Sequence, residues 1–202
     1  MKFSAFLATS LDGFIARSHG EIDWLERANN LVPSGEDCGF SNFYNSVDCI
    51  VLGRKSFEKV LTFKDWPYGS KQVFVMSRTG AQIPSQLSKT VVTTDLPPLE
   101  LKDSLTKLGF NNIYVDGGEI IRNFLYSGLL DEITITRIPI LIHAGIPLFQ
   151  NFRGTPDLLV DDLWLELVEH RSWPFGFVQE VWRVKSKSNG STHESNLLAT
   201  GN

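Results

Sequence analysis

Long apolar runs are missing from this chain of 202 residues. Its richest stretch, 133–149, is broken by Arg137 and His143, so no segment is expected to cross a bilayer. Cysteine is scarce. Cys38 and Cys49 match neither a CxxC motif nor a disulfide framework, and are expected as small buried groups in a reducing compartment. An excess of positive charge is also lacking: 19 Lys and Arg against 23 Asp and Glu give a formal charge of -4, which argues against nucleic acid as a partner. His19, His143, His170 and His193 are scattered without ligand spacing, so no metal is expected. No G-x-G-x-x-G, P-loop, G-x-S-x-G or zinc-deaminase signature occurs, which excludes the commonest nucleotide-binding, hydrolase and deaminase designs. The apolar start, Met1 to Ala8, is short and meets Asp12-Gly13 at once, so it reads as a strand rather than a signal peptide. A cytoplasmic protein with no membrane partner is expected.

What remains is an alternation of strands and helices. Residues 3–10 read as a strand ending at the Asp12-Gly13 turn. A helix follows, with Phe40, Phe43, Tyr44 and Val47 on one face. Cys49-Ile50-Val51-Leu52 is a continuous apolar run, as in a strand covered on both faces. After Gly53 comes a short helix through Phe57, Val60 and Leu61, then strands at 73–76 and 91–93. Leu101, Leu105 and Leu108 mark a helix closed by Gly109. A strand at 112–115, a helix with Ile120, Ile121, Phe124, Leu125 and Leu129 on one face, and a strand at 133–136 complete a β-Gly-Gly-α-β unit. Near the end, 162–170 and 177–184 form a hairpin around Ser172–Gly176. The expected fold is α/β, a mixed and mostly parallel sheet with a C-terminal antiparallel hairpin. It forms one domain over 1–185, followed by a disordered tail over 186–202.

Three strand ends share one chemistry. Gly53-Arg54-Lys55-Ser56, Ser77-Arg78-Thr79 and Asp116-Gly117-Gly118 each follow a strand that reads as parallel, where open α/β sheets gather ligands. Amides at helix starts, hydroxyls and guanidinium groups all bind phosphate. The alternative for Gly117-Gly118 is a tight turn that needs glycine backbone angles.

In order along the chain stand "SLDGFIA" (10–16), "DCIVLGRKSFE" (48–58), "VFVMSRT" (73–79), "IYVDGGEIIRNFL" (113–125) and "IPILIHAGIPLF" (138–149). Over about residues 1–185 the chain resembles the dihydrofolate-reductase-like family that includes the reductase domain of the bifunctional riboflavin deaminase–reductase. The resemblance implies a three-layer α/β/α fold, NADPH as cofactor, and hydride transfer to a small heterocyclic or sugar-linked substrate. A ribosylaminopyrimidine of the riboflavin pathway leads, dihydrofolate is the alternative acceptor, and a non-catalytic NADP sensor is the alternative of another kind. It implies that Ala8, Ile15, Gly53, Arg54, Lys55, Ser56, Ser77, Arg78, Gly117, Gly118, Glu119 and Ile120 contact the cofactor. Family habit and the apolar edge hairpin point to a homodimer.

Hydride transfer also needs a proton. Asp37 lies three residues before Phe40 and seven before Tyr44, so it is expected on the helix face beside the substrate, with desolvation raising its pKa. The same residue fits a helix cap within Ser34-Gly35-Glu36-Asp37. Asp12 and Phe40 are further expected substrate contacts, with Asp12 also read as a turn residue. Trp66-Pro67-Tyr68 is read as either pocket lining or an anchored loop.

Overall fold

A computed structural model describes residues 1–149 and 162–185. The tail 186–202 lies outside the described residues. The strands are β1 (Lys2–Ser10), β2 (Phe14–Ala16), β3 (Cys49–Gly53), β4 (Gln72–Met76), β5 (Val91–Thr94), β6 (Asn112–Asp116), β7 (Glu132–Ile138), β8 (Ile146–Pro147), β9 (Leu165–Ser172) and β10 (Val178–Val184). The α-helices are α1 (Asp23–Asn29), α2 (Phe40–Ser46), α3 (Arg54–Val60), α4 (Pro98–Lys107) and α5 (Gly118–Tyr126).

Eight strands form one sheet in the order β5-β4-β3-β6-β1-β7-β10-β9. The first six run parallel to one another, and β10 joins β7 and β9 antiparallel. This is the mixed α/β sheet expected from the sequence. The period-two geometry of a strand sorts β3 between two cores. Cys49 and Val51 face one side with Leu101 and Leu105 of α4 and Ile121 and Phe124 of α5. Ile50 and Leu52 face the other, with Phe57 and Val60 of α3 and the flanking rings of α2. The result is the three-layer α/β/α arrangement. Both cysteines are buried and free, and desolvation pushes the Cys49 thiol up to about 12. α4 starts with Pro98 at a position whose amide has no helical partner, and Gly109, at φ +85°, closes it in the left-handed conformation.

A third cluster fills the region between Gly20 and Phe40. Trp24 and Ala28, one turn apart on α1, meet Cys38, Ile138, Ile142 and Phe177. A second, two-stranded sheet pairs β2 with β8. Arg122 of α5 anchors it: the buried guanidinium donates to the carbonyls of Leu148 at 3.0 Å and Pro147 at 3.2 Å. No helix among the described residues is long and apolar enough to cross a membrane.

Candidate active site

The three strand ends singled out above are neighbours. β4, β3 and β6 adjoin in that order, with Met76 beside Gly53 and Leu52 beside Asp116. β1 comes next. A ligand lying across these ends therefore reaches Ala8 on β1 at its far side. Lys55 and Arg78 are exposed, and neither makes a hydrogen bond or ion pair among the described residues. Arg54 pairs with Glu58 at 2.8 Å, one turn along α3. Exposed pairs of this kind are worth only about 0.3–0.5 kcal/mol, so a phosphate can displace the carboxylate at little cost. The Ser77 hydroxyl donates to the Gly80 carbonyl at 2.8 Å and fixes the turn that presents Arg78. Glu119 is exposed at the start of α5.

The glycines do something other than leave bare backbone. A Cβ at Gly53 would stand 2.9 Å from Ile120 Cγ1. One at Gly117 would meet Ser56 Oγ at 2.4 Å, and one at Gly118 would meet Ile15 Cδ1 at 2.2 Å. The space over the pair is filled by the chain itself. Gly117 also has φ +89°, a conformation L side chains rarely adopt. So Gly-Gly is a turn with close packing, which brings the starts of α3 and α5 and strand β2 together. Gly117 and Gly118 thereby let Ser56 of α3 and Ile15 of β2 pack close to the start of α5.

Beneath this turn lies a group the sequence did not disclose. Asp116 ends β6, and its carboxylate accepts from the Tyr68 hydroxyl at 2.8 Å and from the Gly117 amide at 2.7 Å. The Tyr114 hydroxyl, which donates to the Phe6 carbonyl at 3.0 Å, lies beside it. Desolvation raises the Asp116 pKa, and the hydrogen bonds from Tyr68 and Gly117, with the Tyr114 hydroxyl alongside, offset only part of that. Of the two readings of 66–68, the anchored loop is the one seen: Pro67 is exposed, Tyr68 is buried, and Trp66 meets Phe57 and Tyr68 edge-on. Removing the Tyr68 hydroxyl would leave a desolvated carboxylate short of a donor. Tyr68→Phe is therefore expected to lose about 1.5–3 kcal/mol in urea unfolding at neutral pH. With its folded pKa raised, Asp116 binds more protons folded than unfolded, so the deficit should shrink as pH falls toward 3.8. An unchanged midpoint would remove the role given to this pair.

A cleft of about 410 Å³ opens beside β1 and β7. Phe6, Phe40, Ile138 and Phe177 provide apolar walls, Ala8 lies at its β1 side, and Glu36 and Asp37 stand on its loop. Phe40 and Ala8 thus line one cleft. Asp37 lines the same cleft but not as expected. It precedes α2 rather than lying on its face, because Cys38 and Gly39 turn the chain at φ +53° and +83°. Its two oxygens accept from the Gly39 amide at 2.9 Å and the Ser41 amide at 2.8 Å. Hydrogen bonds from Ser41, outweighing some desolvation, hold its pKa below 3.8 rather than above it. The capping role is what the geometry contains, and the carboxylate is ionised at neutral pH.

The loop is stapled from behind. Glu36 accepts from the Asp37 and Cys38 amides at 2.9 and 2.6 Å and from the Trp173 indole at 3.0 Å. The buried Gln179 amide donates to the Cys38 carbonyl at 2.9 Å and to Thr136 at 2.8 Å. Asp12 does not line the cleft. It ties the β1 turn to the loop 142–143, accepting from the His143 amide at 2.8 Å and the Ile142 amide at 3.3 Å. Burial works to raise its pKa, but hydrogen bonds from Ser10, His143 and Ile142 win and lower it. Among the described residues no cluster of His, Cys, Asp or Glu could hold a metal ion.

A mixed sheet with cationic parallel strand ends beside an apolar cleft defines an α/β domain of the dihydrofolate-reductase-like kind. More narrowly, the chain belongs to the RibD C-terminal domain family, whose sequence profile matches residues 2–174. It is 37% identical over 157 residues to the uncharacterised protein YwjB of Bacillus subtilis (strain 168), covering 76% of this chain and 85% of that one. A crystal structure from Shewanella sp. PV-4, provisionally described as a riboflavin biosynthesis protein, is 36% identical. It superposes with a TM-score of 0.81 over 92% of this chain and 99% of its own. The fold also matches a Thermotoga maritima diaminohydroxyphosphoribosylaminopyrimidine deaminase/5-amino-6-(5-phosphoribosylamino)uracil reductase. There the TM-score is 0.67 at 12% identity, over 91% of this chain and 56% of that one.

Proposed function

We propose that this protein is an NADPH-dependent reductase that delivers hydride to a small heterocycle of pyrimidine or pteridine type. The reaction class is that of the reductase named for the Thermotoga relative. The observation that carries the reading is the order of the sheet: cations at the ends of β4 and β3, and the cleft at the next strand but one. The donor chemistry fits the cofactor. Arg54, Lys55 and Arg78 would hold its phosphates, with Ser56 and Ser77 as hydroxyl partners, while Ile15 and Ile120 pack the glycine turn behind them. NADPH, when bound, supplies the hydride.

The chain's own residues then do three things. The aromatic walls exclude water and hold a flat ring. The staple from Trp173 and Gln179 fixes the loop. Asp37, ionised and rigid, accepts an N–H of the acceptor and orients the water that delivers the proton, so it handles that proton without being its source at neutral pH. Titration with NADPH, followed by the fluorescence of its nicotinamide, tests the reading. Saturable enhancement is expected, and its absence would defeat it.

We further propose a homodimer built on the C-terminal hairpin. β9 is an edge strand whose Leu167 and Val168 are nearly half exposed. Light scattering is expected to give twice the 22.7 kDa chain mass, and a single-chain mass at all concentrations would contradict it.

A further inference from the structure

We infer that the cleft is built for a ring substrate with no phosphate, uncharged or cationic and bearing N–H donors; this rests on the reductase reading and narrows its substrate. Among the described residues that line the cleft there is no Lys, Arg or His, and there are two carboxylates, Glu36 and Asp37. Four backbone amides of the loop that lines the cleft are already held by these carboxylates. Asp37 holds the Gly39 and Ser41 amides at the start of α2, and Glu36 holds the Asp37 and Cys38 amides. A phosphate binding at these four amides would have to displace a carboxylate that is fixed on its own loop, and would stand beside both acids.

The cations of the flanking elements lie outside the cleft lining. Arg17 and Arg27 both pair with Asp23 on α1, at 2.6 and 2.8 Å. Arg171 lies in a neighbouring depression that also contains Glu169, its partner at 2.5 Å. The contrast with the cofactor side is direct: Lys55 and Arg78 stand unpaired among the described residues at the strand ends, and none stands in the cleft. Charge is thus segregated along the sheet, with cations where a dinucleotide's phosphates would lie and anions where the acceptor would lie. The volume agrees. About 410 Å³ is near the lower end for ligand pockets and holds one ring system with a short substituent. A carboxylate offers about four acceptor positions, so both acids keep capacity for the N–H edge of a heterocycle after their backbone bonds are made. The acceptor therefore departs from the phosphoribosyl compound named for the Thermotoga enzyme in lacking the phosphate.

The test uses matched pairs that differ only in that group: 5-amino-6-(ribosylamino)uracil with and without its 5′-phosphate, and riboflavin with and without its own. Each is titrated calorimetrically into the full chain saturated with NADP⁺, so that no turnover occurs. The unphosphorylated member should bind at least about tenfold more tightly in a pair that binds. The gap should narrow at about 1 M salt, where charges are screened beyond about 3 Å, and should narrow in Glu36→Gln. A phosphorylated member that binds as tightly or more tightly, or no binding by any compound, overturns the inference. So does a gap indifferent to both salt and Glu36→Gln, since size alone would then explain it. Titration of NADP⁺ alone is measured first. Its failure would defeat the reductase reading, whereas cofactor binding with a preference for the phosphate defeats only this inference.

Discussion

Asp37→Asn is expected to lower turnover about a hundredfold while leaving NADPH affinity within about twofold, the low end of what a group that handles a proton contributes. The two effects separate because Asp37 lines the acceptor cleft, whereas the cations Arg54, Lys55 and Arg78 stand at other strand ends. Asparagine can cap a helix almost as well as aspartate, so the melting temperature should hardly move. It cannot present an anionic carboxylate to the cleft. Because hydrogen bonds hold the wild-type carboxyl below 3.8, kcat should show no loss attributable to Asp37 as pH rises through about 5 to 8. A turnover equal to wild type in Asp37→Asn would leave the acid as a cap alone.

Gly117→Ala should damage both stability and cofactor affinity. A non-glycine residue held at φ +89° and ψ +127° costs about 1–3 kcal/mol before any contact is counted. The added Cβ would also stand 2.4 Å from Ser56 Oγ and 3.2 Å from Ser56 Cβ, so the hydroxyl must turn away or the starts of α3 and α5 must part. For a domain of this size each kcal/mol is worth about 2–4 °C, so the melting temperature should fall by several degrees. Adding Ser56→Ala should recover the steric share and leave the backbone strain, giving a partial rescue. Full stability in Gly117→Ala, with normal NADPH binding, would show that the turn does not hold the starts of α3 and α5 together.

The sheet was legible because its strands are short apolar runs bounded by glycine. Cys49–Gly53 and Asn112–Asp116 were read to within a residue for that reason. The small β2–β8 sheet was not, since strands of three and two residues carry no periodicity. α1 is hard to read because its buried face is only Trp24 and Ala28, at i and i+4. The strand-end cations could be read because they follow β3 and β4 directly. Asp116 with Tyr68 could not, because 48 residues separate the partners and only the fold joins them. Asp37 shows how a local rule misleads: counting back from Phe40 assumes that the helix continues, and the left-handed Cys38-Gly39 pair ends it. Gly118 illustrates the converse. The pattern correctly demanded a missing side chain, and Ile15, distant in sequence, is what occupies the space.

We propose that the strand ends at Arg54 and Arg78 recognise a phosphorylated nicotinamide cofactor. Calorimetric titration of the wild type and of Arg78→Ala with NADPH and with NADH tests it most directly. Charge-assisted contacts to the 2′-phosphate contribute about 1.5–3 kcal/mol, so wild type should bind NADPH more than tenfold more tightly than NADH, and Arg78→Ala should lose most of that preference. Equal dissociation constants for the two cofactors in the wild type would contradict the account.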